Sequence, residues 1–272
     1  MTALTTVGQV LKTSSGTTAK MPVLFVGHGS PMNALEDNEF SRAWAALGQS
    51  LPRPSAILCV SAHWETEGAK VAAMPKPRTI HDFRGFPPEL YKKQYPAAGS
   101  PEWAGATCDL IHSTTVVADM DWGLDHGAWS VLCRMFTAAD VPVFQLSLGR
   151  AQPPQRHYDL ARELAPLRER GVLIVGSGNL VHNLGTMEWT DKAFDWAADF
   201  DATVTGLIMT RNHDALVRYD RLGSAAALAI PTNEHYLPML YALALQGKDE
   251  PLTFCTEKVV LGSISMRGFK IG

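Results

Sequence analysis

The chain has 272 residues, 46% of them hydrophobic and 19% charged, and a formal net charge of −3. This is an ordinary globular balance, long enough for one large domain. Charges of both signs are mixed along the length, which argues against a nucleic-acid groove or a membrane-surface patch, and no apolar run reaches the roughly 18 residues needed to span a bilayer.

In chain order, residues 1–20 (MTALTTVGQVLKTSSGTTAK) are rich in Thr, Ser and Gly and are expected to form a flexible tail. The remainder, 21–272, is expected to be a single catalytic domain. Pro22–Gly27 (PVLFVG) is a first buried strand, and His28 follows it directly. Asn38–Leu47 is helix-compatible and stops at LPRP. Ala56–Ser61 (AILCVS) is a second strand, with His63 just beyond it. Each strand is short, apolar and closed by a small or polar residue. The Pro-rich stretch from Met74 to Met120 shows no periodicity and reads as a long functional loop, a lid or a binding wall.

Trp129–Ala139 predicts a helix before a third strand, Val141–Leu148. His157–Arg170 predicts another helix before a fourth strand, Val172–Gly176. Asp191–Asn212 is long enough for five or more helical turns. Met239–Gln246 is a short apolar helix that Pro238 opens. Phe254–Phe269 reads as a hairpin turning near Gly262, at a sheet edge. The alternation predicts an α/β fold with a mostly parallel central sheet flanked by helices and a C-terminal β-hairpin. Cys59, Cys108, Cys133 and Cys255 are scattered, with no C-x-x-C pair. No disulfide framework is expected, and a reducing cytoplasm is the default location.

The nine histidines carry the functional information. His28 and His63 end two strands. His182 lies six residues past the fourth strand, across the turn Ser177-Gly178-Asn179, and His235 sits in PTNEHYLP ahead of a helix. In an open α/β sheet, ligands gather outside the carboxyl ends of the strands, so strand-ending histidines converge on one side. A mononuclear metal site needs such convergence, because its ligands must meet within about 2.0–2.2 Å of one ion. Taken singly, a strand-end histidine is more often a hydrogen-bonded structural residue. Small neighbours at Gly27-His28-Gly29-Ser30 and Ser61-Ala62-His63 leave room for a metal and a substrate. His81, His112, His157 and His213 are read as surface or loop residues. There is no G-x-S-x-G elbow, G-x-G-x-x-G, Walker loop or H-E-x-x-H, so an elbow-type serine hydrolase, a dinucleotide or nucleotide enzyme and the common zinc peptidases are not expected. From these residues alone, a zinc-dependent hydrolase of an amide or ester and an idle metal-binding scaffold both remain open.

Six segments, PVLFVGHGSPMNAL, SAHWET, IHDFRGFPPELYKKQYPAAGSPE, DWGLDHGAW, GSGNLVHNL and NEHYLP, together resemble the 4,5-DOPA extradiol dioxygenase family. This is a branch of the class III (LigB-like) extradiol ring-cleaving dioxygenases. The resemblance runs from about Met21 to the C-terminus. It implies an oxidoreductase that opens a catechol ring and incorporates both atoms of O2, with Fe(II) needed for activity and Zn(II) readily bound. It also implies His28, His63 and His235 as metal ligands, His182 as catalytic acid/base and occasional fourth ligand, and His126 as a second catalytic histidine that contacts the substrate. Glu234 adjoins His235, but neighbouring side chains point in different directions, so only one should reach an ion. Ser30, Trp64 and Phe83, with Phe86 and Trp129 near them, are expected to line the substrate site, and His81 stands where the family pattern has a tyrosine. The expected partners are a small catechol and O2, in a monomer or homodimer.

Overall fold

A computed structural model describes residues 20–190 and 192–272; the tail expected at 1–20 therefore lies outside the described residues but for Lys20. Four wholly buried runs form the expected strands: Val23–Gly27 (β1), Ala56–Ser61 (β2), Val143–Gln145 (β3) and Val172–Gly178 (β4). They pair in parallel in the order β3-β2-β4-β1, with Ile57 opposite Val143, Ala56 opposite Val172 and Val23 opposite Ile174. Leu252–Thr256 (β5) and Gly268–Ile271 (β6) complete the sheet, β6 running antiparallel to β1 and β5 antiparallel to β6. Between them, Val259–Val260 pairs with Ile264–Ser265 around Leu261 and Gly262, both at positive φ. The hairpin thus turns at Gly262, where a side chain would strike the Phe194 ring.

Alternation along the strands divides the interior into two layers. Val23, Phe25, Leu58, Val60 and Ile174 face one cluster; Leu24, Val26, Ile57, Leu173 and Val175 face the other. The first layer is closed by helices Pro154–Arg162, Asp195–Met209 and Leu237–Ala244. The second is closed by Glu39–Ser50 (α1) and His126–Met135 (α3), with Pro101–Leu110 (α2) between them in sequence. The three helices of the first layer are α4, α5 and α6 in chain order. Asn38 and Ser41 form a capping box at the start of α1. Arg168, almost wholly buried, donates to Met21 O and Leu245 O and pairs with both carboxylate oxygens of Glu250, which ties the chain leading into β1 to the segment after α6.

Several boundaries differ from the sequence reading. Residues 157–170 do not form one helix: the chain breaks after Arg162 and resumes at Ala165–Glu169, because Pro166 lacks the N–H an inner helical position donates. The helix expected from Trp129 begins at His126, where Asp125 caps it. The stretch 74–120 is not one loop. It contains the helical turn Pro88–Lys92, α2, and a strand Val116–Asp119 paired in parallel with Ala69–Ala72. Ser100 and Pro101 are the start signals that mark α2. Among the described residues no helix is long and apolar enough to cross a membrane.

Candidate active site

Because β2, β4 and β1 are parallel neighbours, their carboxyl ends open on one mouth. There the His28 N–H donates to Gly178 O (3.1 Å) and the Ala62 N–H to Ser177 O (3.0 Å), which fixes both strand exits against β4. The result brings His28 Nε2 and His63 Nε2 to 3.1 Å. The His235 ring centroid lies 5.1 Å from that of His28 and 4.9 Å from that of His63. His126, the first residue of α3, packs 3.9 Å from His63 and 5.7 Å from His28. His182 lies 3.4 Å from His235. Five rings from five separate segments therefore meet in one place.

Two glycines in β4 make room for His235. A Cβ at Gly178 would overlap His235 O, and one at Gly176 would overlap Pro238 O. Without side chains there, the 235–238 backbone lies directly on the strand end, and the Asn179 N–H donates to His235 O at 2.8 Å.

Hydrogen bonds settle which nitrogen of His28 faces the centre. Ser177 Oγ donates its single proton to Gly127 O (2.6 Å). It can therefore only accept from His28 Nδ1 (3.0 Å), and His28 Nε2 is left with a free lone pair. On His63, Nδ1 lies 3.6 Å from Asp82 Oδ2, which favours the proton on that nitrogen and frees its Nε2 as well. Two lone pairs facing each other at 3.1 Å repel unless something positive lies between them. Two ligand atoms on one ion, about 2.1 Å from it and separated by 90–109°, would themselves be about 3.0–3.4 Å apart. His235, only 4% exposed, has neither ring nitrogen partnered, an arrangement folded proteins rarely leave without a reason. Donor set, spacing and orphaned nitrogens all fit a divalent metal.

Ligand atoms of His28, His63 and His126 lie within 4.8 Å of one another, and so do those of His182, Glu234 and His235. Burial, reinforced by His63, His126 and His182, holds the His28 ring well below its ordinary pKa. Burial and then His126 do the same to His63 against the pull of Asp82. His235 is lowered by burial and by His182 first among its neighbours, and His182 falls to about 4 through burial and then His126. These four imidazoles are neutral at pH 7 and their lone pairs are available.

Carboxylates behind the rings complete the frame. Asp125, fully buried, accepts from Ser61 Oγ (2.6 Å), Gln145 Nε2 (2.7 Å) and the Ala128 N–H (3.1 Å), and so caps α3 under His63 and His126. Burial and Asp82 push its pKa up, opposed by the bonds from Ser61 and Gln145. Asp82 Oδ1 accepts the His126 N–H (2.9 Å) and lies 3.0 Å from His126 Nδ1 without an aligned hydrogen bond. Burial would raise the Asp82 carboxyl, but the His126 contacts outweigh it and hold the group below its usual range. Sequence reasoning assigned no role to Asp82, Asp125, Ser177 or Gln145. Asp125 alone had a local signal, as a helix cap ahead of an apolar run.

Of the expected substrate-lining residues, Phe83 stands edge-on to His126 at 5.5 Å, beside Phe86 (5.3 Å) and Tyr91 (5.2 Å). Ser30, two residues past His28, caps the 3-10 turn Pro31–Ala34 by accepting the Met32 N–H. Trp64 is not among the rings around the histidines: it is buried with Ala72 and Met74 and stacks on Trp122 at 5.5 Å. His63 and Trp64 stand in the turn after β2, which the Trp64 N–H closes on Ser61 O (3.5 Å), and the indole leaves that turn toward Trp122. Trp129 is fully buried and donates its indole N–H to Ile80 O (2.8 Å). His81 bonds Lys93 O (2.9 Å) and His213 the Tyr158 hydroxyl (2.9 Å), while His157, expected at the surface or in a loop, is instead buried in α4 and bonds the Tyr241 hydroxyl (3.0 Å).

Residues 22–266 match the family model described as the catalytic LigB subunit of aromatic ring-opening dioxygenase. The chain is 45% identical over 260 residues to a 4,5-DOPA dioxygenase extradiol of Escherichia coli K12, covering 93% of this chain and 95% of that one. It is 39% identical over 233 residues to a protein of the same name from Beta vulgaris, covering 83% and 87%. A crystal structure of an uncharacterized protein from Escherichia coli K12 superposes with a TM-score of 0.81 at 42% identity, over 93% of this chain and all of that one. The chain belongs to the LigB family of aromatic ring-opening dioxygenases and is an extradiol oxygenase.

Proposed function

We propose that this enzyme opens the ring of a DOPA-like catechol with O2, using Fe(II) held by His28, His63 and His235. The observation that carries the reading is the pair of Nε2 atoms of His28 and His63, 3.1 Å apart, beside the unpartnered, buried His235. The names of the E. coli and plant relatives support the substrate class. Three ligands from one side leave positions open, and a divalent iron there would acidify the catechol hydroxyls and relay electrons to O2 from the catecholate, which is the net reductant.

The protein's own groups do the rest. His182, neutral at pH 7, has a nitrogen free to take a hydroxyl proton from the substrate and return it later. His126, held by Asp82, faces the same space and steadies a substrate oxygen by hydrogen bonding. Phe83, Phe86 and Tyr91 form an aromatic wall suited to an aromatic ring. The four cysteines are free thiols, which supports a reducing cytoplasmic setting.

Neutral imidazoles also bind zinc, which lies above iron in the affinity order. Purified protein is therefore expected to take up zinc while turning over only with Fe(II). Metal-free protein reloaded with each ion, with oxygen uptake and the yellow ring-opened product followed over a catechol panel, tests this. Full turnover with zinc would overturn the iron requirement; hydrolysis of an amide or ester without oxygen uptake would replace the reading with that of a zinc hydrolase.

A further inference from the structure

Asp82 makes three contacts with the histidine cluster from a segment that belongs to no helix or strand. One oxygen accepts the His126 backbone N–H (2.9 Å) and lies 3.0 Å from His126 Nδ1; the other lies 3.6 Å from His63 Nδ1. The next residue is Phe83, whose ring stands against His126. A single carboxylate thus spans two rings that enter the site from β2 and α3, and it fastens the aromatic wall to both.

We propose that Asp82 is a positioning residue: it holds His63 with its Nε2 toward the metal, sets His126 against it, and docks the Phe83 wall onto the pair. This rests on the reading that His28, His63 and His235 bind the metal. An imidazole ligated through Nε2 is a stronger donor at Nδ1, and a carboxylate on that nitrogen fixes ring orientation and raises ligand basicity. Sharing the carboxylate with His126 adds a consequence. Metal binding at His63 and ordering of the wall become one event, because both pull on the same side chain. Arg84, exposed and two residues from Asp82, reports on the wall as a tryptic site.

The test compares wild type with Asp82→Asn, Asp82→Glu and His63→Ala. Zinc affinity is measured by competition with a chromophoric chelator, trypsin cleavage at Arg84 with and without zinc, and kcat and KM on Fe(II)-loaded protein. Asp82→Asn should weaken zinc binding about 10- to 100-fold and lower kcat more than it raises KM. Zinc should slow cleavage at Arg84 in wild type and not in Asp82→Asn. Asp82→Glu, which keeps the charge, should recover part of the affinity, and it serves as the measurable variant if Asp82→Asn does not fold. Unchanged zinc affinity in Asp82→Asn, or cleavage at Arg84 accelerated equally with and without zinc, would overturn the proposal. If His63→Ala also binds zinc as wild type does, the metal reading itself has failed, and the two failures are distinguished.

Discussion

Replacing Gly178 with Ala tests whether the shape of the site depends on an absent side chain. The new Cβ would overlap His235 O and stand 3.0 Å from its carbonyl carbon and 3.3 Å from Pro238 Cγ. The first of these is backbone, so no side chain can swing away, and the 235–238 segment must move by about 1 Å to relieve the overlap. Overpacking costs about 1–3 kcal/mol, and weakening the Asn179 N–H to His235 O bond adds about 1 kcal/mol. For a chain of this size, a total of about 2–4 kcal/mol lowers Tm by about 5–15 °C. Displacement of His235 by that distance should also cost about 100-fold in turnover. Gly206→Ala is the internal control. It sits in α5 with nothing within 4 Å of the added methyl, and it should stabilise by about 0.5–1 kcal/mol. Calorimetry and oxygen uptake on metal-loaded protein read both effects. A Gly178→Ala enzyme with wild-type Tm and wild-type turnover would refute the claim that the glycine positions His235.

Two further outcomes follow from named groups. His182→Ala should retain the metal and lose about 10²–10⁴ in kcat, the usual contribution of a positioned acid/base; metal analysis showing the ion lost would instead make His182 a ligand. Glu250 is held at about 2 by Arg168, which overcomes the opposing effect of burial. Its folded pKa lies below the value of about 4.3 expected in the unfolded chain, so its stabilisation is present above that pH and is lost as pH falls toward 2. Urea midpoints measured from pH 6 to pH 2.5 should decline less steeply in Glu250→Gln than in wild type, and parallel curves would contradict the assignment.

The sheet was legible because each buried strand is a continuous apolar run, and two of the runs end in histidine. What could not be read was strand order. Chain order gives no sign that β4 inserts between β1 and β2, yet that insertion lets Ser177 reach His28 and lets Gly176 and Gly178 receive the 235–238 segment. Trp64 was misplaced for a related reason: adjacency to His63 in sequence suggests the same site, whereas the turn after β2 sends the indole into a separate cluster with Trp122. Asp82 was silent because an aspartate in a Pro-rich stretch ordinarily reads as a turn residue, and its partners are 19 and 44 residues away along the chain.

The division of charge in the site follows from where each group sits in the fold. The rings of His28, His63 and His235 come from the buried strand ends or lie upon them, where desolvation keeps imidazole neutral. Two carboxylates lie behind them: Asp125 is satisfied by Ser61, Gln145 and the start of α3, and Asp82 by the His126 N–H. Neither of these two carboxylates belongs to the groups of ligand atoms that face one another, whereas Glu234 stands with His182 and His235. An ion held by the three imidazoles would keep its full double charge toward the substrate, and that charge is what makes a catechol hydroxyl acidic enough for a neutral histidine to deprotonate. A carboxylate moved among the ligands would bind the ion more tightly and acidify the substrate less. Three imidazole ligands with Asp82 and Asp125 one layer back would therefore favour activation of a weakly acidic ligand over tight retention of the metal.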